Sequence, residues 1–217
     1  VLSLALGVRM AVQTVASRRL GQGLEKQSGT AFHNGLVMAT AYALPVSFLG
    51  WMFVGNIVPF FVNDVVATPL ATQYTSIVFI SLVFSAYSFV FQGFYTGIEK
   101  TKIHMTVTIV SNLLNVYLNA GLIYGTEGVK LFLNDVAPGF SFLSYLWQWT
   151  EFPALGVKGA AISTVVASVW MATHYTLYLF SKDIKNRFSV FSFSFDRKMM
   201  SRQLRLALPL GIQEGLI

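Results

Sequence analysis

Residues 32–55, 70–98, 103–125 and 157–181 are apolar runs with at most one charge each. At 1.5 Å of rise per helical residue, each is long enough to cross a hydrocarbon core of about 30 Å, so the pattern predicts four spanning helices. The sequence begins inside a further apolar segment, VLSLALGVRMAVQTVAS, and ends inside another, RLALPLGIQEGLI. Pro45 lies within the 32–55 run and predicts a kink there. Polar residues inside the runs keep helical spacing. Asn112, Asn115 and Asn119 step by three and four, and Ser81, Ser85, Ser88 and Gln92 by four, three and four, so each set shares one helix face. Gly93 and Gly97 form a GxxxG, and Gly156, Ala160, Thr164 and Ser168 form a ridge of small residues; both allow close helix approach.

Composition changes the solvent in which these patterns are read. The chain has 217 residues, 54% hydrophobic and only 11% charged, against about a quarter charged in a soluble domain. Lipid is therefore the expected surrounding. With no cysteine, disulfides and Cys-based zinc sites are excluded. The net charge of +6 would suit a nucleic-acid partner, but the bases sit between spans. Arg18, Arg19 and Lys26, then Lys100 and Lys102, then Lys182, Lys185, Arg187, Arg197, Lys198, Arg202 and Arg205 alternate with connections carrying Asp64, or Glu127, Asp135 and Glu151. Lys130 and Lys158 run against this trend. Such alternation predicts a multi-pass plasma-membrane protein with loops 18–31, 99–103 and 182–203 in the cytoplasm and 56–69 and 126–156 outside, and no nucleic-acid partner. The external connection holds FSFLSYLWQWTEF, whose tryptophans and tyrosine suit an interfacial segment. In the basic connection, the alternation of FSVFSFSF predicts a short extended or interfacial stretch, with Asp196 as the N-cap of the next helix. Opening on Val1 within an apolar segment, the sequence reads as an internal part of a longer membrane protein.

In hydrocarbon an unpaired amide costs several kcal/mol, so the asparagine face is expected to turn toward other helices or an aqueous cavity. Two readings stand side by side. The amides are interhelical glue, bonded to Ser85, Ser88 or Gln92 at about 0.6 kcal/mol each, or their oxygens are hard ligands for a cation or substrate. Arg9, about two turns from the basic end of its segment, either snorkels to the cytoplasm or pairs with Gln13 inside a cavity. Glu214, about 15 Å into its segment by helical rise, is the acid placed to exchange a proton or hold a cation. His33, His104 and His174 lack metal-ligand spacing, and neither GxSxG nor GxxxxGK[ST] occurs. Neither an enzyme nor a cofactor or metal site is expected.

The segments AVQTVASRRLGQG, GFYTGIEKTKI, NLLNVYLNAGLIYG, LGVKGAAISTVVAS and LRLALPLGIQ, in this order and spacing, resemble the multidrug and toxic compound extrusion (MATE) transporters. The resemblance spans the second to sixth helices and the start of the seventh, apart from an enlarged external loop at 126–155. It implies an all-α, polytopic membrane helix bundle forming most of one six-helix lobe of a two-lobe transporter. Residues 1–181 would be the amino-terminal lobe without its first helix, 182–203 the inter-lobe loop and 204–217 the start of the second lobe. It implies export of drugs or small organic cations by alternating access, with sodium or a proton as coupling ion and the bilayer and the remaining helices as partners. In many members a cation is held by an aspartate on the first helix, an asparagine and an aspartate four apart on the fifth, and a threonine on the sixth. The matching positions here are Asn115, Asn119 and Thr164. Asn119 stands where aspartate is usual; an amide coordinates sodium but takes up no proton, so proton coupling would rest on other residues or on Glu214. Two alternatives remain. A flippase for lipid-linked oligosaccharide or peptidoglycan precursor shares the architecture but needs several bases for a pyrophosphate, where Arg9 alone is available; a non-transporting scaffold would use all its amides as glue.

Overall fold

The structure, a computed structural model, describes residues 2–136 and 138–216. Its elements are α1 (Leu2–Gly21), α2 (Glu25–Phe61), α3 (Ala67–Gly97), α4 (Thr101–Val136), a 3-10 segment (Pro138–Trp147), α5 (Val157–Leu179), α6 (Lys182–Phe188) and α7 (Arg197–Leu216). Among the described residues there is no strand. Helices α2, α3 and α4 are long and apolar enough to cross a membrane. Leu44, Phe48, Trp51, Met52, Phe60 and Phe61 of α2 are exposed, as lipid-facing side chains are. α2 is helical on both sides of Pro45. α4 breaks at Gly125, with φ 73° and ψ 167°, a conformation open essentially only to glycine.

The chain divides into two compact units. The first takes in α1, α2 through Phe48, α3 from Leu82, α4 through Ile109, α5 from Ser168, α6 and α7. Within it glycines set the helix contacts. The GxxxG of α3 seats α1: a Cβ on Gly93 would fall 2.4 Å from the Arg9 carbonyl oxygen, and one on Gly97 2.8 Å from that of Gln13. Helix α7 lies antiparallel along α1, with Gly7 against Ala207 and Gly211, and Gly211 against Ser3 and Leu4. Rings fill the centre. Phe91 stacks on Tyr175 at 5.6 Å and 9°, Phe32 touches Phe91 and Phe94, and the Tyr95 hydroxyl donates to the Tyr175 carbonyl at 2.8 Å.

The predicted extended stretch before α7 is a turn-rich link that follows the short helix α6 and is tied to α2. The Thr30 and Ser194 hydroxyls are 2.7 Å apart, His33 Nε2 lies 2.8 Å from the Val190 carbonyl oxygen, and Asn34 Nδ2 donates to the Asp196 carbonyl at 3.1 Å. A Cβ on Gly29 would strike the Phe188 carbonyl. Asp196 caps α7 as its sequence position predicts, Oδ1 accepting from the amides of Lys198 and Met199 at 2.8 and 3.0 Å. Two ion pairs close this end, Lys100–Asp183 at 2.8 Å and Arg187–Glu25 at 2.6 Å. The Lys100 ammonium holds the Asp183 carboxyl below the usual carboxylate range, and Glu25 raises the Arg187 guanidinium.

The second unit holds the rest of α2 to α5 and the 3-10 segment. Its long connection packs back on α4. The Tyr117 ring stacks on Trp147 at 5.2 Å, the Trp147 indole donates to the Tyr117 carbonyl at 2.9 Å, and the Tyr117 hydroxyl donates to the Leu146 carbonyl at 3.0 Å. Past the Gly125 break, Thr126 Oγ1 accepts from the Phe152 amide at 3.0 Å, and the Leu155 amide returns to the Leu122 carbonyl at 2.8 Å. Phe140, Phe142, Tyr145 and Trp149 are left exposed.

Candidate functional site

The asparagine face of α4 meets α5 because Gly159 lets the backbones touch. A Cβ there would fall 2.1 Å from the Leu122 carbonyl oxygen. One turn on along α5 and one back along α4, this contact brings the buried Ser163 against Asn119. The Ser163 hydroxyl reaches Asn119 Oδ1 and, at 2.9 Å, the Ala160 carbonyl oxygen. Asn119 Nδ2 donates to Asn115 Oδ1 at 2.9 Å, and Thr164 Oγ1 donates to the Ala160 carbonyl at 2.9 Å. Two amide oxygens and the Ser163 hydroxyl, all uncharged, are thus gathered on facing turns, with Thr164 next along α5 and bonded back to its own helix. Hard oxygens of this kind suit sodium, and none of the four side chains titrates near neutral pH.

One expectation needs correction. The bonded partner of the amides is Ser163 on α5 rather than Ser85, Ser88 or Gln92 on α3; Ser88 turns back to the Phe84 carbonyl at 2.9 Å. The residues of α5 seen against α4 are Gly159 and Ser163, each one position before a member of the ridge of Gly156, Ala160, Thr164 and Ser168. Ser163 escaped the sequence reading, though its spacing of four from Gly159 and Ala167 carries the signal. Asn112 is exposed, Asn115 and Asn119 are half-buried, and so is Ser85.

The first unit assembles a different polar group. Arg9 and Gln13, one turn apart on α1, are both half-buried where α1 rests on Gly93 and Gly97. Arg9 lies within electrostatic reach of His104 and Tyr175, and Gln92 and Thr108 reach the Tyr175 hydroxyl. His104 Nδ1 is 2.7 Å from that hydroxyl and 3.2 Å from Thr108 Oγ1. Glu214, on α7, is exposed.

With this geometry in hand, comparisons with known proteins identify the lineage. The MatE family model matches residues 1–120. A curated relative, the probable multidrug resistance protein NorM of Bacillus cereus, is 24% identical over 208 residues, which cover 94% of this chain and 41% of the relative. Solved structures agree in fold. A multidrug resistance MATE family transporter of the MOP superfamily in an inward-facing conformation superposes with a TM-score of 0.75 at 19% identity, over 98% of this chain and 42% of that one. A MOP-superfamily transporter from Pyrococcus furiosus, described as having a binding pocket of reversed polarity that suggests a different function, gives 0.74 at 18% over 98% and 41%. The chain spans about two fifths of the length of these proteins. Two glycine-seated helix contacts, spanning helices and a match over more than half its length therefore lead to one conclusion: the chain belongs to the MATE (MatE) family of membrane transporters.

Proposed function

We propose that the chain forms most of the amino-terminal lobe of a sodium-coupled antiporter that exports drugs or small organic cations by alternating access. The single observation carrying this reading is the uncharged oxygen cluster of Asn115, Asn119 and Ser163 on facing turns of α4 and α5. Two of its members, Asn115 and Asn119, and the neighbouring Thr164 match the positions at which the resemblance implies a cation site, and the amide at Asn119 favours sodium over a proton. The basic loops would face the cytoplasm of the plasma membrane, by the distribution of Lys and Arg.

Export by the complete protein, measured in everted vesicles under separate sodium and pH gradients, tests this reading. A sodium gradient is expected to drive efflux, and exchanging Asn115 and Asn119 together for leucine to abolish it while the protein still inserts. Full efflux by the double variant would leave the amides as helix glue.

A further inference from the structure

The link between α6 and α7 is gripped from inside and turns its rings outward. Phe188 and Val190 are buried, and the bonds to Thr30, His33 and Asn34 draw residues 190–196 against α2. Phe191, Phe193 and Phe195 are left 47%, 67% and 52% exposed. Three large rings exposed at alternate positions mark an interaction surface rather than a wet loop. That surface is not isolated. Phe191 packs on Phe180 at 4.8 Å, and Phe180, just past the end of α5, is itself exposed, as is Leu177 within the helix. The apolar flank of α5 therefore continues onto the link.

Bases accompany these rings. Residues 181–202 carry six bases and two acids, and both acids are engaged: Asp183 pairs with Lys100, and Asp196 accepts from two amides of α7. Lys182, Lys185, Arg197 and Lys198 are exposed and outside both ion pairs found among the described residues. Lys185 stands over the Phe191 ring, 5.8 Å from its centroid, so charge and ring are presented side by side. Rings suited to the acyl boundary, beside ammonium groups suited to phosphate, are what a surface facing anionic lipid requires. We infer that the α6–α7 link docks on anionic phospholipid of the cytoplasmic leaflet, with Phe191, Phe193 and Phe195 entering the acyl boundary and Lys182, Lys185 and Lys198 meeting the phosphates. Only the choice of leaflet rests on the orientation proposed above.

The test places a fluorophore on Phe193→Cys of the full-length protein, in a background without other cysteines, within nanodiscs of uncharged lipid. A trace of doxyl-labelled phosphatidylglycerol or doxyl-labelled phosphatidylcholine is then included. Doxyl quenches on contact, so the ratio of the two quenching constants gives the relative association of the lipids at the link. A preference for phosphatidylglycerol of about fivefold or more is expected, since each base near the surface contributes about that factor, and high salt should reduce it. Lys182→Gln, Lys185→Gln and Lys198→Gln together should bring the ratio near one while quenching by lipid persists, which shows that the variant is still folded and docked. Equal quenching by the two lipids in the parent protein, or a preference that survives the triple variant, overturns the inference. Quenching by iodide from water with none from lipid also overturns it, leaving a wet surface suited to a soluble acidic partner. Silence toward both quenchers overturns it too, because another part of the protein then covers the rings. Nanodiscs offer the same lipid to both faces, so a failure of the transport or orientation reading leaves these outcomes unchanged.

Discussion

Adding one carbon at Gly159 tests both the helix contact and the proposed ion site. In Gly159→Ala the new Cβ would sit 2.1 Å from the Leu122 carbonyl oxygen, where ordinary contact begins near 3.4 Å. Backbone cannot rotate out of the way as a side chain can, so α5 has to retreat from α4 by about 1 Å, judging from that overlap. Overpacking of this kind costs about 1–3 kcal/mol. The retreat also carries Ser163 away from Asn119 Oδ1, removing a bond worth about 0.6 kcal/mol between membrane helices. The more informative loss is in sodium binding. An ion that binds only the folded protein at a hundred times its Kd adds about 2.7 kcal/mol, and a tenfold rise in Kd removes about 1.4 kcal/mol of that. Thermal unfolding of the full-length protein in nanodiscs, with and without sodium, reads both effects. Gly159→Ala is expected to lower Tm without sodium and to lose about half of the sodium increment. Gly55→Ala serves as the control. A Cβ at Gly55, inside α2, meets nothing within 4 Å, so the ordinary helix preference for alanine, about 0.5–1 kcal/mol, should raise Tm. An unchanged Tm for Gly159→Ala would refute the close approach. A lowered Tm with the full sodium increment would remove the cluster as an ion site.

Four further outcomes are expected. Asn119→Asp introduces a titratable group into a neutral cluster, so isothermal titration should find a sodium affinity that is flat from pH 5 to 8 in the wild type and falls with decreasing pH in the variant. Gly125→Ala forces a side chain into a backbone conformation reserved for glycine, at a cost of about 1–3 kcal/mol, visible as a lower Tm and faster proteolysis of the 126–156 connection. Asp196→Ala strips the cap from α7, costing about 1 kcal/mol and speeding tryptic cleavage at Arg197 and Lys198. Asp183, whose carboxyl is lowered by Lys100, contributes stability that is present above the ordinary carboxylate value of about 3.9 and is lost as pH falls through the lower folded value. The wild type and Asp183→Asn should therefore differ slightly at neutral pH and converge in strong acid, with the neutral-pH difference shrinking in high salt because the pair is exposed.

The parts of the fold legible in the sequence were those that a single segment decides. Lipid leaves an apolar run little choice but helix, so α2, α3 and α4 could be read from composition, and Asp196 announced its cap by preceding a helix with an oxygen-bearing side chain. Helix ends were harder, because polar turns continue beyond the membrane run: α2 starts at Glu25, well before the apolar stretch beginning at residue 32. What needed coordinates was the identity of neighbours. Spacing put Asn115 and Asn119 on one face but could not say that α5 would meet it. Two small-residue faces of α5, one residue apart, satisfy the same spacing of four, and only the Leu122 carbonyl selects Gly159 over Ala160. The group around Arg9 was invisible for the same reason. Arg9, Gln92, His104, Thr108 and Tyr175 come from four helices, and the one local clue, the GxxxG of α3, gave no sign that its partner was the backbone of Arg9. The aromatics of 138–149 were read as interfacial, yet nothing local revealed that Trp147 would return to Tyr117.

The link between α6 and α7 deserves its mechanical consequence. Because Thr30, His33 and Asn34 grip it and Gln203 of α7 donates to the Ala31 carbonyl at 2.9 Å, it behaves as a rivet and not a leash. With α7 also lying glycine to glycine along α1, a swing of α7 drags α1 and α2 with it, and a free pivot has to be sought away from this junction.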